Sequence, residues 1–204
     1  MSIWFIISVI GIIGIIPLYF LSLEHQKLDK KHGEKKGRKI GSIYGYISGW
    51  LFFGFWFGIY ISPQPSFILP IIPEIYFGSI FGIIFPLFHI IISLPFIILA
   101  FWFGLVGVKE TGLETAETHR AEKVVTSGIY SIVRHPQYLG GLFGHIGFTL
   151  LLSRLYSLLF FPLMVLLIYI ICRKEEAELI KEFGDEYKQY QQKVPMILPK
   201  IKKQ

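Results

Sequence analysis

Two polar clusters in the second half of the chain contain residue types that bind charged ligands. Arg134 and His135 stand directly before Pro136, and proline favours the first position of a helix. A helix start has free N–H groups and partial positive charge, so an arginine and a histidine beside it form an anion site. Glu175 and Glu176 follow a long apolar stretch, at a helix end where acidic residues oppose the dipole. These four side chains are the first candidates for a binding site.

The spacing of the two clusters predicts that they meet in the fold. Arg154 lies 19 residues after His135 and 21 residues before Glu175. Arms of about 30 Å each, at 1.5 Å per residue, predict a helical hairpin whose two ends lie at one membrane face. A cation pocket beside an anion pocket suits a zwitterionic ligand such as an amino acid. The alternative is that Arg134 anchors the chain at the interface and that the glutamates pair with neighbouring basic residues in water.

The composition places these clusters in a membrane protein. Of the 204 residues 53% are hydrophobic and 17% are charged, whereas a soluble domain has about 25% charged residues. The mean hydropathy is +0.57. The single cysteine, Cys172, cannot form an intramolecular disulfide. A water-soluble enzyme, a disordered protein and a secreted disulfide scaffold are therefore excluded.

The spanning helices are predicted from four apolar stretches: 3–23, about 40–61, 67–108 and 136–172. The last stretch holds two helices, because Ser153-Arg154 interrupts it. The stretch 67–108 is long enough for one crossing with an interfacial lead-in, or for two short crossings.

The distribution of Lys and Arg selects between these two possibilities. Seven lie in 25–39, four in 109–135 and eight from Arg173 onward, which leaves Arg154 alone. Cytoplasmic loops carry the excess of basic residues. One crossing in 67–108 places all three basic segments on that side, whereas two crossings would separate them. The N-terminus is then outside, and the C-terminus and the site are cytoplasmic.

The predicted fold class is an all-α integral membrane protein with five transmembrane helices, a C-terminal helical hairpin and a site at the cytoplasmic face. Residues 1–110 form helices one to three. Residues 111–204 form a loop, the hairpin and an amphipathic tail that covers the site, within one structural unit. Pro86 and Pro95 predict that the third helix is bent or broken.

Several kinds of site are absent from the sequence. There is no phosphate-binding loop and no strand-associated dinucleotide fingerprint. The six histidines form no close pair or triple, so no metal site is expected. The basic run 25–39 is typical of an orientation signal that touches anionic headgroups, and no base-reading module accompanies it, so we expect no nucleic-acid partner.

The order of residues in the second half resembles one superfamily of membrane methyltransferases. It contains isoprenylcysteine carboxyl methyltransferases and phospholipid N-methyltransferases. The residues that carry the resemblance are Arg134-His135-Pro136, Tyr138, Gly140, an apolar hairpin and Glu175-Glu176, with the approach 124–130 and the tail 183–190. The similarity covers roughly 122–195, and the first 110 residues agree only in being apolar helices.

The resemblance implies S-adenosylmethionine as methyl donor and a lipid-like acceptor that reaches the site from the bilayer. The acceptor would be a prenylcysteine-type carboxylate or a phospholipid amine. By this resemblance, Arg134 and His135 hold the carboxylate of the donor, and Glu175 or Glu176 holds its ammonium group. Arg134 and Glu176 are the residues expected to be central to catalysis.

The same resemblance assigns roles to further residues around the site. Tyr130 and Tyr138 would shape the pocket, while Val125 and Gly128 belong to a loop that would lie along the adenosine. His119 and His145 are the acceptor-side candidates. Prenylcysteine enzymes tend to have a histidine at the position that Glu122 occupies in this chain. His119 lies three residues before that position. His145 follows Tyr138 by seven residues, which places both on about the same helix face.

Two other functions remain open from the sequence. Some members of the wider superfamily reduce sterol double bonds with NADPH on a similar scaffold, and Arg120, Lys123 and Arg134 are the residues that would meet its extra phosphate. The other alternative is a non-catalytic membrane scaffold or a transporter. A transporter places its charged residues near the bilayer midplane, whereas the polar clusters of this chain lie at one face.

Overall fold

The computed structural model describes residues 1–69, 75–80 and 83–199, which are mostly helical. In chain order the elements are α1 (Ile3–Leu23), α2 (His25–His32), α3 (Glu34–Ile61), β1 (Tyr76–Ile80), β2 (Ile83–Pro86), α4 (Leu87–Thr111), α5 (Leu113–Thr118), a 3₁₀ turn (Gly128–Ser131), α6 (Pro136–Leu151), α7 (Leu155–Phe183) and α8 (Asp185–Lys193). The segments with predicted crossings correspond to α1, α3, α4, α6 and α7.

Three helices in the described part of the chain, α1, α4 and α7, are long and apolar enough to cross a bilayer. These helices support the prediction of a membrane protein. The other two segments differ from a standard span. α3 begins in the basic segment with Glu34, and α6 has 16 residues, fewer than the roughly 20 that a crossing normally uses. Crossing by α3 and α6 therefore stays a prediction.

The stretch 67–108 contains one described helix, preceded by strands that were not predicted. β1 and β2 form an antiparallel hairpin with a register irregularity between Tyr76 and Ser79. Pro86 ends β2, because proline lacks the N–H that a ladder needs, and it is the N-cap directly before α4. Pro95 lies inside α4, which continues past it to Thr111. The predicted break is thus a boundary at Pro86, and the helix is not interrupted at Pro95.

Glycines let α4 and α6 approach closely. A Cβ atom built on Gly140 would lie 2.8 Å from the backbone nitrogen of Gly104, and one on Gly147 would lie 2.8 Å from Ile97 Cγ1. Real Cβ atoms essentially never approach other atoms so closely, so only glycine fits at these positions. In lipid, small residues of this kind let helix backbones pack together. α6 is therefore held firmly against α4 along one side.

The hairpin predicted between Pro136 and Cys172 is present, with its turn at Ser153. Ser153 adopts a positive φ of 52°, and α7 starts immediately after Arg154. An incoming segment clamps this turn: Phe67 N donates to Ser153 O at 3.0 Å, and Leu155 N donates to Pro65 O at 3.1 Å. We call this end of the helices the turn end and the opposite end the site end.

The tail after Glu175 packs beside the 3₁₀ turn. α7 ends at Phe183, because Gly184 has a φ of 57° that stops the helix and lets α8 begin at Asp185. Tyr187 and Tyr190 of α8 are buried against Ile129 and Val133 in one apolar cluster. The amphipathic tail thus lies against the loop that leads into α6.

Candidate functional site

The two predicted clusters meet at the site end, where Glu176 is the centre of a hydrogen-bonded group. Its Oε1 accepts from Arg134 Nε at 2.7 Å and lies 3.1 Å from His135 Nε2. Its Oε2 accepts from Gln191 Nε2 at 2.8 Å. The residue is 2% exposed. Both oxygens of Glu176 therefore have protein partners, and the carboxylate connects α6, α7 and α8.

Arg134 and His135 also hold the segment that follows α8. Arg134 Nη1 donates to the carbonyl oxygens of Gln191, at 3.0 Å, and Val194. The backbone N–H groups of Arg134 and His135 donate to Pro195 O at 2.9 Å and Met196 O at 3.0 Å. The tail thus binds backbone donors that could otherwise serve an anion. Nη2 of Arg134 is the guanidinium nitrogen that makes no hydrogen bond within the described residues.

Glu175 has different surroundings from its neighbour. It lines a cavity of about 450 Å³, together with Arg134 and His135. Its Oε2 is buried and has no hydrogen-bond partner in the described part of the chain. The nearest nitrogen of a basic side chain is His135 Nδ1, which lies 3.7 Å from this oxygen. A buried oxygen without a donor is costly, so this carboxylate has capacity for a positively charged ligand.

The cavity has a polar end and an apolar end. Its wall is made by residues of α1, α3, α5, α6, α7 and α8, by Thr111 of α4 and by the loop between α5 and α6. The polar lining residues include Thr111, His119, Tyr130, Arg134, His135, Gln137, Tyr138 and Glu175, and the apolar ones include Phe52, Phe53, Trp56, Met164, Ile168 and Ile171. A charged group and an apolar group can therefore be bound in one continuous space.

Glu110, which was not identified from the sequence, holds the loop that lines the polar end. Its two carboxylate oxygens accept from Ile129 N at 3.2 and 3.1 Å. Gly128 has a φ of 55°, and a Cβ atom there would collide with the Glu110 carboxylate. Val125, in the same loop, lines the cavity. Glu110 could have been found from the sequence, because it is a carboxylate near the end of an apolar helix. There it opposes the helix dipole, as Glu175 does.

The two tyrosines assigned to the pocket both line it. Tyr130 is tied to α4 and α6, since its hydroxyl donates to Gly107 O at 3.4 Å and accepts from Gln137 Nε2 at 3.2 Å. Tyr138 is hydrogen-bonded to Tyr19 of α1 through the two hydroxyl groups. α1 therefore contributes to a site whose individually predicted residues all lie in the second half of the chain.

The two acceptor-side histidines lie in different places. His119 lines the cavity, has a positive φ of 59°, and has its Nδ1 2.8 Å from Ser22 Oγ. Because the Ser22 hydroxyl donates to Tyr19 O at 2.6 Å, it must accept from Nδ1–H, which leaves Nε2 of His119 unprotonated. Burial, with the nearby His25, lowers the pKa of His119 to about 4.

His145 lies outside the cavity wall. It is fully buried, accepts at Nδ1 from Trp56 Nε1 at 3.0 Å and has Nε2 3.0 Å from Ser157 O. The hydroxyl of Tyr60 lies 2.9 Å from the same Nδ1. This position joins α3, α6 and α7, and a role of His145 beside the acceptor stays a prediction.

Two of the three basic residues considered for a dinucleotide phosphate, Arg120 and Arg134, have other partners. Arg120 forms a salt bridge with Asp29 at 2.5 Å, and its second nitrogen also reaches that carboxylate. Arg134 is bound as described above, while Lys123 is exposed at the rim of the cavity. Among the described residues, no group of three or more His, Cys, Asp or Glu side chains is placed to hold a metal ion.

Comparison with known proteins gives partial matches. The protein-S-isoprenylcysteine O-methyltransferase of Schizosaccharomyces pombe is 35% identical over 96 residues, 47% of this chain and 41% of that protein. The human protein-S-isoprenylcysteine O-methyltransferase is 37% identical over 90 residues, 44% and 31% of the two chains. Methanethiol S-methyltransferase 1 of Bradyrhizobium diazoefficiens is 38% identical over 71 residues, 35% and 24% of the two.

The matched segments thus span less than half the length of these relatives. No solved structure matches the chain. A family model described as phospholipid methyltransferase matches residues 78–186, more than half of the chain. That range contains Arg134, His135 and both glutamates, and the match shows that the chain belongs to the phospholipid methyltransferase family.

Proposed function

We propose that the protein is an S-adenosylmethionine-dependent methyltransferase of the membrane, acting on a lipid-like acceptor. Family membership and the methyltransferase names of the relatives support this proposal. The observation that carries it is the unpartnered oxygen of Glu175 in a cavity that Arg134 and His135 also line. These residues fit the ammonium and carboxylate groups of a methionine moiety.

Each of these residues would bind a different group of the donor. Glu175 binds the ammonium group, which gives its Oε2 the partner that it lacks. Arg134 binds the carboxylate through Nη2, while its other nitrogens keep the tail in place. The backbone at Val125 lies along the adenosine. Glu176 acts as a positioning residue, since its oxygens are already occupied by protein donors.

When bound, the donor supplies a methyl group on a positively charged sulfur. The protein itself contributes alignment and exclusion of water. Tyr187 and Tyr190 of α8 line the cavity and are buried, so they shield its polar end from solvent.

The residues around the cavity favour an acceptor that arrives already deprotonated. An amine acceptor must lose a proton. Glu175 is assigned to the ammonium group of the donor, His135 lies against the two glutamates and Glu122 is exposed at the mouth, so His119 Nε2 is the remaining base on this wall. Its pKa of about 4 makes His119 a weak base at neutral pH. A carboxylate acceptor needs no base. We therefore favour a prenylcysteine-type carboxylate over a phospholipid amine.

Titration calorimetry of the detergent-purified protein tests the donor site. S-adenosylmethionine and S-adenosylhomocysteine should bind saturably, and Glu175→Gln should weaken both by about tenfold or more, because a hydrogen bond to a charged group contributes about 1.5–3 kcal/mol. Glu114→Gln, an exposed change on α5, is the matched control. Binding of NADPH alone would support the reductase instead, and no binding by folded protein would refute catalysis at this site.

A second assay tests the acceptor. The wild-type protein is incubated with labelled S-adenosylmethionine and either N-acetyl-S-farnesylcysteine or phosphatidylethanolamine vesicles. We expect label in the farnesylcysteine ester. Label in the phospholipid alone would overturn the preference for a carboxylate while retaining the methyltransferase.

We also propose five crossings, with the site end cytoplasmic and the N-terminus outside. The basic segments beside α2 and α5 support this orientation. Cysteines introduced as Lys27→Cys at the site end and Ser66→Cys at the turn end should react with an impermeant maleimide from opposite sides. The native Cys172 is fully buried and should stay silent. Labelling of both from one side would contradict this topology.

A further inference from the structure

Arg154 is a buried cation at the turn end. The residue is 7% exposed, and its Nε is buried and has no hydrogen-bond partner in the described part of the chain. No ion pair of Arg154 occurs within the described residues. Removal of a charge from water is costly when no partner compensates for it. Arg154 therefore has capacity for an anion that the described residues do not supply.

The start of α7 adds to this positive charge. Arg154 is the N-cap of a helix of 29 residues, and a helix N-terminus carries partial positive charge that disfavours a cation. The groups that accept from the first N–H groups are neutral: Pro65 O accepts from Leu155 N, and Gln64 Oε1 accepts from Ser157 N. The described neighbours of this helix start thus leave its charge uncompensated.

The described carboxylates lie far from Arg154. Of the 14 acidic residues, Glu74 lies outside the described residues, and the others lie in 24–34, in 110–122 and from Glu175 onward. Those three segments belong to the site end. Glu175 follows Arg154 by 21 residues, which is about 30 Å along α7. Screening over such a distance prevents these carboxylates from neutralising Arg154.

Ser66 lies opposite Arg154 and faces the same way. The two residues form an isolated antiparallel bridge, between the two hydrogen bonds that clamp the turn. Residues directly opposed in this manner send their side chains to one face of the pair. Ser66 is exposed, and its hydroxyl makes no hydrogen bond within the described residues.

The guanidinium group reaches the surface beside this hydroxyl. The buried atoms without a partner include Nε of Arg154 but neither of its terminal nitrogens. The terminal nitrogens also make no hydrogen bond to the described chain, so they are accessible from outside. Guanidinium and hydroxyl groups side by side are typical donors to phosphate, and arginine binds phosphate through paired hydrogen bonds.

Apolar side chains surround these donors. Leu158 lies one helical turn after Arg154, Ile68 lies two residues after Ser66, and both are exposed. Ile61 and Leu159 are 76% and 67% exposed. An anion that reaches Arg154 must therefore be compatible with a hydrocarbon environment. The phosphate of a phospholipid meets this condition, because it lies where the headgroups join the acyl chains.

From these observations we propose that Arg154 and Ser66 bind the phosphate group of a membrane phospholipid at the turn end. The terminal nitrogens of Arg154 donate to the two free oxygens of the phosphodiester, and the Ser66 hydroxyl donates to one of them. The acyl chains lie against the exposed side chains around Leu158. This site is separate from the proposed function, since neither Arg154 nor Ser66 lines the cavity.

Thermal unfolding of the delipidated protein in detergent tests the site. The protein is titrated with dioleoyl phosphatidylglycerol, with dioleoylglycerol, which lacks the phosphate, or with inorganic phosphate. A ligand that binds only the folded state raises the midpoint, and we expect a rise of about 5 °C or more with phosphatidylglycerol at a hundredfold its Kd. An equal rise with dioleoylglycerol would overturn the role of the phosphate. An equal rise with inorganic phosphate would overturn the lipid as its source.

Arg154→Met distinguishes this site from other lipid contacts. Without lipid, the variant should unfold at the wild-type midpoint or above it, because the substitution removes an unpaired buried charge. With phosphatidylglycerol, it should lose most of the rise, and Ser66→Ala should lose part of it. Arg173→Met is the matched control and should keep the full rise, since Arg173 is an exposed arginine near the other end of α7.

Native mass spectrometry of the same mixtures counts the bound lipids, and Arg154→Met should carry one fewer than Arg173→Met. Four results would overturn the site. They are a wild type that phosphatidylglycerol does not stabilise, an equal rise in Arg154→Met, a lower midpoint of Arg154→Met without lipid, and a rise that occurs only in Glu74→Gln. The last result would show that Glu74 neutralises Arg154 in the wild type.

Discussion

Arg134 Nε lies 2.7 Å from Glu176 Oε1, and both side chains are at least nine-tenths buried. The pair joins the residue before the His135 N-cap to the last turns of α7, and Arg134 also binds carbonyl oxygens of the tail. Three parts of the site end therefore depend on one ion pair.

Removal of one partner should destabilise the protein more than removal of both. Breaking a buried ion pair leaves an uncompensated charge and costs about 3–5 kcal/mol, whereas apolar replacement of both partners is often tolerated. Arg134→Met and Glu176→Met should each lower the thermal midpoint, and the double variant should recover part of the loss. Thermal unfolding in detergent measures this. Equal midpoints for wild type and single variants would show that the pair contributes nothing.

Glu110→Gln should loosen the loop that contains Val125 and Gly128 without unfolding the helices. The amide would lose the charge that accepts from Ile129 N, a contribution of about 1.5–3 kcal/mol for a charged acceptor. We expect faster hydrogen exchange at the Ile129 amide and weaker binding of S-adenosylhomocysteine. Lys109→Gln, a change at the exposed neighbouring position, is the control. Unaltered exchange at Ile129 would contradict the assigned role of Glu110.

His119 should make stability depend on pH in the acidic range. Its pKa falls from 6.5 to about 4 in the folded protein, so the unfolded chain binds a proton first as the pH is lowered. The contribution of His119 to the free energy of unfolding is fully present above pH 6.5. It declines by up to about 3 kcal/mol as the pH falls towards 4.

The matched variant for this prediction is His119→Asn, because asparagine tolerates the positive φ of 59° at this position. Thermal midpoints of wild type and variant are compared between pH 7 and pH 4. The wild type should lose more stability than the variant. Parallel curves would assign the acid sensitivity to other groups.

Neighbouring glycines on α6 should respond in opposite ways to alanine. Gly140→Ala forces a methyl group to 2.8 Å from Gly104 N and 2.9 Å from Ala100 O, and overpacking of this kind costs about 1–3 kcal/mol. Gly141→Ala meets open space and gains helix propensity, so its midpoint should stay equal or rise. Thermal unfolding distinguishes the two, and a loss at Gly141 equal to that at Gly140 would contradict this packing.

The hairpin that brings Arg134 and His135 to the glutamates was predictable because its signals are local. Proline at position 136 marks the helix start, and one polar break at Ser153 separates two apolar arms of similar length. Both signals depend on sequence spacing alone, and the structure has the same hairpin.

Other parts of the site could not be predicted, for physical reasons. Glu175 and Glu176 are adjacent, and a helix turns by about 100° per residue, so only the packing of α7 decides which faces the cavity. Glu110 accepts from a backbone N–H, and the carbonyl oxygen of Pro195 accepts from another. Backbone groups are present at every residue, so the sequence does not show which of them takes part in a contact. The strands Tyr76–Ile80 and Ile83–Pro86 are short apolar runs, for which periodicity does not distinguish strand from helix.

The clamp at the turn end determines where foreign sequence can be inserted. A turn between two membrane helices is a common place for an epitope or a fluorescent fusion. Here Ser153 and Leu155 are hydrogen-bonded to the 65–67 segment, so an insertion would separate three parts of the fold. Gly33 and Gly112 are exposed, with positive φ and no atom near their Cβ positions. Reporters belong at these two connections, where the chain has room for added residues.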